Sequence, residues 1–222
     1  MNVSSWPSPG TTWWIGAVLC AFALALALYG ELRDRLRLLY VFKPTASAGF
    51  LIAAIGSGAL AAGWPRIVLV GLLLSTVGDV ALMGRSRGAF LAGLGAFLLG
   101  HVAYIVALVE RGFETDAVAV AAPLLGVVAA GFSAWLLPKV PAKMRPAVVA
   151  YVVVITVMVA LAFGSHAMRP SLALPVGATL FWLSDISVAI DRFVARTAAN
   201  RLWGLPCYYA GQLVLALAVA AP

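Results

Sequence analysis

The sequence predicts an all-α polytopic membrane bundle of about eight transmembrane helices, built as a single domain. Three observations carry that expectation. Apolar residues make up 64% of the chain and charged residues only 10%, against about 25% charged in an ordinary soluble domain. The 222 residues have a mean hydropathy of +1.03 and divide, at charged or proline-containing breaks, into eight apolar runs near the roughly 20 residues that cross a bilayer. Lysine and arginine gather in alternate loops, as they do on the cytoplasmic side of multispanning proteins.

The runs lie near 13–29, 44–62, 66–83, 88–109, 116–137, 146–164, 170–190 and 203–220. The first has no basic residue before it and Arg33, Arg35, Arg37 and Lys43 after it, the reverse of a cleavable signal peptide, so it is expected to remain as a span. The second opens on Lys43-Pro44, where proline suits a first helical turn and lysine reaches an anionic head group or simply snorkels. The third carries Asp79, the fourth His101 and Tyr104, the sixth Tyr151, the seventh Asp185, and the eighth Tyr208, Tyr209 and Gln212. Pro175 in the seventh is the one obvious interruption within a span.

Loops after spans 1, 3, 5 and 7 hold Arg33, Arg35, Arg37, Lys43, Arg85, Arg87, Lys139, Lys143, Arg145, Arg192, Arg196 and Arg201; the others hold only Arg66, Arg111 and Arg169. Twelve of fifteen basic residues on one side place both termini on the non-cytoplasmic face. The same split explains the net charge of +7 and the pI near 9.9 as a topology signal, which removes the case for a nucleic-acid partner. The loops are too short to fold separately, so any chemistry has to occur within the bundle or at its mouths. Cys20 and Cys207 stand alone in apolar runs and read as packing residues. The stretch Leu74–Val80 around Asp79 echoes Leu183–Ile186 around Asp185, and Lys43-Pro44 echoes Lys143-x-x-Pro146. A parallel duplication of four spans plus four fits that echo. The absence of a targeting peptide and the small size favour a bacterial inner membrane.

A charge inside a span costs at least about 2.5–3.5 kcal/mol on insertion scales, so such a residue is a functional candidate by default. Of eight acidic residues, Asp79 and Asp185 alone sit well inside runs, at similar distances from the cytoplasmic ends. Two carboxylates at one level in a medium of low dielectric do not both ionise cheaply, which separates an acid from a base. That is what acid/base hydrolysis requires; pairing with a base such as Lys43 is the structural alternative. His101 is the only intramembrane histidine. A His₃ zinc site cannot be assembled from two histidines, and no metal or cofactor is expected. Tyr104, Tyr151, Tyr208, Tyr209 and Gln212 are polar tips able to orient a carboxylate or a substrate hydroxyl, or to bond helix to helix. Ser75 and Ser184 beside the aspartates are similarly open, since no nucleophile elbow or Ser-His pairing accompanies them.

Taken in order, Lys43-Pro44, Ser75-x-x-Gly78-Asp79, Phe90-x-x-Gly93-x-x-x-Phe97-x-x-x-His101-x-x-Tyr104, Gly177-x-x-x-Phe181-x-x-Ser184-Asp185 and Tyr208-Tyr209-x-x-Gln212 resemble the YhhN family of membrane proteins, which includes the vertebrate transmembrane lysoplasmalogenases. The likeness runs from residue 43 to 212, while the first span and the N-terminal tail match no part of it. The resemblance implies an eight-span bundle that hydrolyses the vinyl ether of lysoplasmalogens to a fatty aldehyde and a glycerophospho-base without a metal. Asp79 and Asp185 would act as acid and base, Lys43 would hold the phosphate of the lysophospholipid substrate, and His101, Tyr104 and Gln212 would polarise or position it. The competing readings are a proton-coupled transporter and a non-catalytic lipid-binding protein.

Overall fold

Every apolar run folds as one long helix. The computed structural model describes residues 6–84 and 86–221, so Arg85 of the charge pattern lies outside the described residues. The helices are α1 (Thr11–Leu32), α2 (Leu36–Gly56), α3 (Trp64–Leu82), α4 (Arg87–Arg111), α5 (Thr115–Leu136), α6 (Arg145–Met168), α7 (Ala173–Phe193) and α8 (Ala198–Ala218), with two short 3₁₀ turns between α5 and α6. The described residues contain no strand. α1 to α7 are each long and apolar enough to cross a membrane by length and composition. α8 has the length, but Asn200, Arg201, Tyr208, Tyr209 and Gln212 dilute its apolar character; it runs antiparallel along α7 inside the bundle.

Helix ends follow local chemistry. The Ser86 hydroxyl accepts from the Ala89 amide at 3.0 Å to start α4, and Thr197 does the same for Asn200 at 3.2 Å to start α8, each satisfying one amide that the first turn leaves open. Proline occupies the first turn of α3 and of α6, where its missing N–H is no loss. Gly63 before α3 and Gly112 after α4 have φ of 86° and 94°, a region that a side chain disfavours.

Two sequence expectations need correction. The sequence places Lys43-Pro44 at the mouth of a helix, but α2 starts at Leu36 and holds Pro44 in its interior. The turn Arg33–Arg35 after α1 redirects the chain early, and Leu36–Phe42 already winds as helix on the way in. Pro175 sits in the first turn of α7, whereas Pro44, Pro123 and Pro206 lie inside α2, α5 and α8.

The bundle is assembled from helix hairpins that approach through small residues, as expected where lipid supplies no hydrophobic drive and backbone proximity decides packing. A Cβ added at Gly49 of α2 would lie 2.7 Å from the Cys20 amide nitrogen of α1, and one at Gly177 of α7 would lie 3.0 Å from the Gly211 carbonyl of α8. Gly71 and Gly78 of α3 receive the rings of Tyr104 and Phe97 from α4 in the same way. Neighbour relations repeat with a shift of four helices: α2 packs on α3 and α8, and α6 packs on α7 and α4. α5 is the outlier, with Ala129 and Leu136 its only buried residues and Val127 74% exposed.

Candidate active site

Each half of the bundle delivers one aspartate, and each aspartate is held by the helix before it and a helix from the opposite half. Asp79 on α3 is 2% exposed. Its Oδ2 accepts from the Ser47 hydroxyl of α2 and the Tyr208 hydroxyl of α8, both at 2.7 Å, and its Oδ1 is 4.0 Å from Lys43 Nζ. Lys43 and Ser47 stand four residues apart, so one face of α2 presents both. Asp185 on α7 accepts from the Tyr151 hydroxyl of α6 at 3.0 Å, and His101 Nε2 of α4 lies 3.5 Å from the same oxygen. Ser47 and Tyr151 therefore play equivalent parts, as do Tyr208 and His101.

An aromatic cluster joins the two half-sites. Phe181 stacks on His101 at 4.4 Å and meets Tyr208 at 5.5 Å and Phe97 at 6.1 Å, while Phe97 and Tyr208 are 5.7 Å apart. Gly78, next to Asp79, makes room for the Phe97 ring. The environments differ in charge. Asp79 has a cation and two hydroxyls, whereas Asp185 has one phenol, one imidazole and mostly apolar surroundings.

Both carboxylates open into one cavity of about 670 Å³, at the end of the bundle that carries the α1–α2, α3–α4 and α7–α8 turns. α3 ends three residues after Asp79 and α7 eight residues after Asp185, so helix ends give no common depth; the shared cavity does. Its mouth is rich in charge. Arg201 pairs with Glu31 of α1 and with Asp191, the latter at 3.1 Å. Arg196, with a side chain 67% exposed, reaches Glu31 at 3.7 Å, and the Arg192 guanidinium lies 4.0 Å over the Phe90 ring. The pair made by exposed Arg196 is worth roughly 0–1 kcal/mol, whereas Arg201 and Glu31 are largely buried, with side chains 18% and 11% exposed.

Of the residues singled out from the sequence, Lys43, Asp79, Ser184, Asp185 and Tyr208 line this cavity, and Tyr151 and His101 support Asp185 from behind. Ser184 spends its hydroxyl on the Phe181 carbonyl at 2.7 Å. Tyr104 and Gln212 form a separate buried pair, the phenol donating to the amide oxygen at 2.7 Å, and they do not line the cavity; nor does Ser75, which is fully buried beside them. Sequence reasoning missed Ser47, although its spacing from Lys43 was a usable signal. It also counted Arg192, Arg196 and Arg201 as topology charges alone, because nothing local tells a cavity rim from an ordinary loop.

The YhhN family model matches residues 38–219. Lysoplasmalogenase TMEM86A of Bos taurus is 31% identical over 159 residues, covering 68% of this chain and 63% of the bovine protein. The proteins named lysoplasmalogenase from Mycobacterium bovis and Mycobacterium tuberculosis are each 32% identical over 184 residues, covering 81% of this chain and 69% of theirs. The matched part thus amounts to somewhat under two thirds of the bovine relative's length. No solved structure matches the chain.

Proposed function

The chain belongs to the YhhN family, and from that premise we propose that it is an integral membrane hydrolase cleaving the vinyl ether of lysoplasmalogens, with Asp79 and Asp185 as its two catalytic carboxylates. The observation that carries the reading is the single cavity reached by both aspartates, Asp79 buried and Asp185 half-buried, behind a basic rim. The names of the relatives point to the same substrate class.

The chemistry divides between the half-sites. A vinyl ether hydrolyses when a proton adds to the double-bond carbon farther from the ether oxygen, leaving an oxocarbenium ion. Water then adds to that ion, and the resulting hemiacetal collapses to an aldehyde and an alcohol. Asp185, which pairs with no lysine or arginine among the described residues, supplies the first proton. Asp79, beside Lys43, offers a carboxylate that stabilises the cation and takes a proton from the attacking water, the two-carboxylate logic of glycoside hydrolysis. The hydroxyl proton of the hemiacetal passes to the departing glycerol oxygen, and return of a proton from Asp79 to Asp185 restores the site. One water is consumed and no electron is transferred. His101 and Tyr151 hold Asp185 in place, Ser47 and Tyr208 hold Asp79, and the phosphate sits among Lys43 and the rim arginines.

The residues lining the cavity come from one end of the bundle, and Phe50, Tyr104, Phe181 and Gln212 behind it are fully buried, so the cavity ends blind within the bundle. The mouth faces the cytoplasm and both termini lie outside if the basic loops follow the positive-inside rule, consistent with a bacterial inner membrane. The deciding experiment measures fatty aldehyde released from lysoplasmalogen by purified Asp79→Asn and Asp185→Asn proteins that retain the wild-type unfolding temperature. Loss of turnover in both is expected; wild-type rates in either overturn the assignment.

A further inference from the structure

Beside the polar cavity runs a second, narrow cleft between α4, α5, α6 and α7. Its walls include Leu94 of α4, Phe132 of α5, Ile155 of α6 and Trp182 of α7, and Asp185 is the only charged residue among those lining it. It lies against the polar cavity, with which it shares Phe90, Phe97 and Asp185. We propose that this cleft holds the hydrocarbon chain of a single-chain lipid, with access from the bilayer past α5, so that Asp185 stands where chain meets head.

Three features argue for that occupant. At the loop end the cleft is capped by a small core of Leu136, Val140, Met144 and Val148, so it does not open to water there. On the bilayer side its cover is α5, the least buried helix of the bundle. The four-helix shift makes α5 against α4 the counterpart of α1 against α8. α1 packs on α8, but the α5–α4 seam is parted into the cleft, between Phe90 and Leu94 on one side and Ala129 and Phe132 on the other. The symmetry of the fold is broken at the one place where a lateral opening would serve a carboxylate.

The cleft is narrow, about 60 Å³ as it stands, so a chain enters it by displacing α5, which has only two buried residues. Along α7 the lining runs from Trp182 to Phe193, about 16 Å at 1.5 Å per residue. Because lipid tails are as apolar as leucine, the cleft adds little affinity; what it supplies is register, fixing which bond lies against Asp185. The rim arginines, among them Arg192 over the Phe90 ring, stop the head group.

The inference rests on the hydrolase reading but is tested separately from it. Ala129→Trp fills the far part of the cleft. It is expected to lower kcat/KM for long-chain lysoplasmalogens relative to medium-chain ones by about tenfold or more, the scale on which apolar pockets discriminate chain size; an unchanged ratio overturns the inference. The second measurement needs no turnover. A lysophosphatidylethanolamine bearing a diazirine at its chain end is expected to label α5 and α6 near Ala129 and Ile155, and excess unlabelled lysophosphatidylethanolamine should suppress that labelling while leaving labelling of the outer faces unchanged. Labelling of cleft residues that competitor does not suppress, or its absence, overturns the inference. If the wild-type protein releases no aldehyde yet the competed labelling is found, the hydrolase reading fails and the chain site stands.

Discussion

Tyr208→Phe is the most informative single change at the site. It deletes one hydroxyl and leaves a ring that packs against Phe50, Phe97, Phe181 and Tyr209, so no cavity of consequence is created. What is lost is a 2.7 Å hydrogen bond to Asp79, donated to a carboxylate in a dry setting. Bonds to charged groups are worth about 1.5–3 kcal/mol, and each 1.36 kcal/mol in a barrier is about tenfold in rate. If the carboxylate works only when correctly aimed, kcat for aldehyde release falls by about ten- to a hundredfold. Ser47 bonds the same Asp79 oxygen from α2, so Ser47→Ala should act in the same direction. The double variant should lose more than the two single losses together, because each hydroxyl partly covers for the other. The assay is aldehyde release from lysoplasmalogen by protein in lipid nanodiscs, with the unfolding temperature followed by tryptophan fluorescence on the same samples. A double variant with wild-type kcat and a lowered unfolding temperature would show that the two hydroxyls merely hold helices together. The reasoning about Asp79 would then be wrong.

The remaining predictions separate scaffold from site. Tyr104→Phe breaks the buried bond to Gln212 away from the cavity; it should cost roughly 0.5–1.5 kcal/mol of stability in an unfolding assay while leaving kcat within about twofold, and a large fall in kcat would place Tyr104 in the chemistry. Gly177→Leu drives a side chain into the α8 backbone, where even a Cβ would come within 3.0 Å of the Gly211 carbonyl. It should prop α7 from α8 and abolish the monodisperse folded peak in size-exclusion chromatography, whereas recovery of folded protein would show that the helices can part without penalty.

The bundle was legible in the sequence because its cause is local. An apolar run of sufficient length must satisfy its own backbone hydrogen bonds in lipid, and a helix is the one way for a single segment to do so. Asp79 and Asp185 stood out for the same reason, since a charge among apolar neighbours is conspicuous wherever the chain goes. Where a boundary depended on what came before, the reading slipped: α2 begins at Leu36 because the Arg33–Arg35 turn, and not the apolar run, decides where the helix starts.

What surrounds the aspartates had to wait for the tertiary structure. Ser47 and Asp79 are 32 positions apart, and Tyr208 and Asp79 are 129 apart, so their meeting follows from how α2, α3 and α8 cross. The sequence marked Tyr104 and Gln212 as polar tips as readily as Tyr151 and Tyr208, yet packing turns the first pair toward each other and the second pair toward the two carboxylates. The apolar cleft has no sequence signature at all, because its lining residues are the same leucines, phenylalanines and valines that elsewhere fill the core. Composition decided that the chain lives in a membrane as eight helices; helix packing through close glycine contacts decided which side chains share a cavity, because direction and distance between segments are properties of the assembled bundle alone.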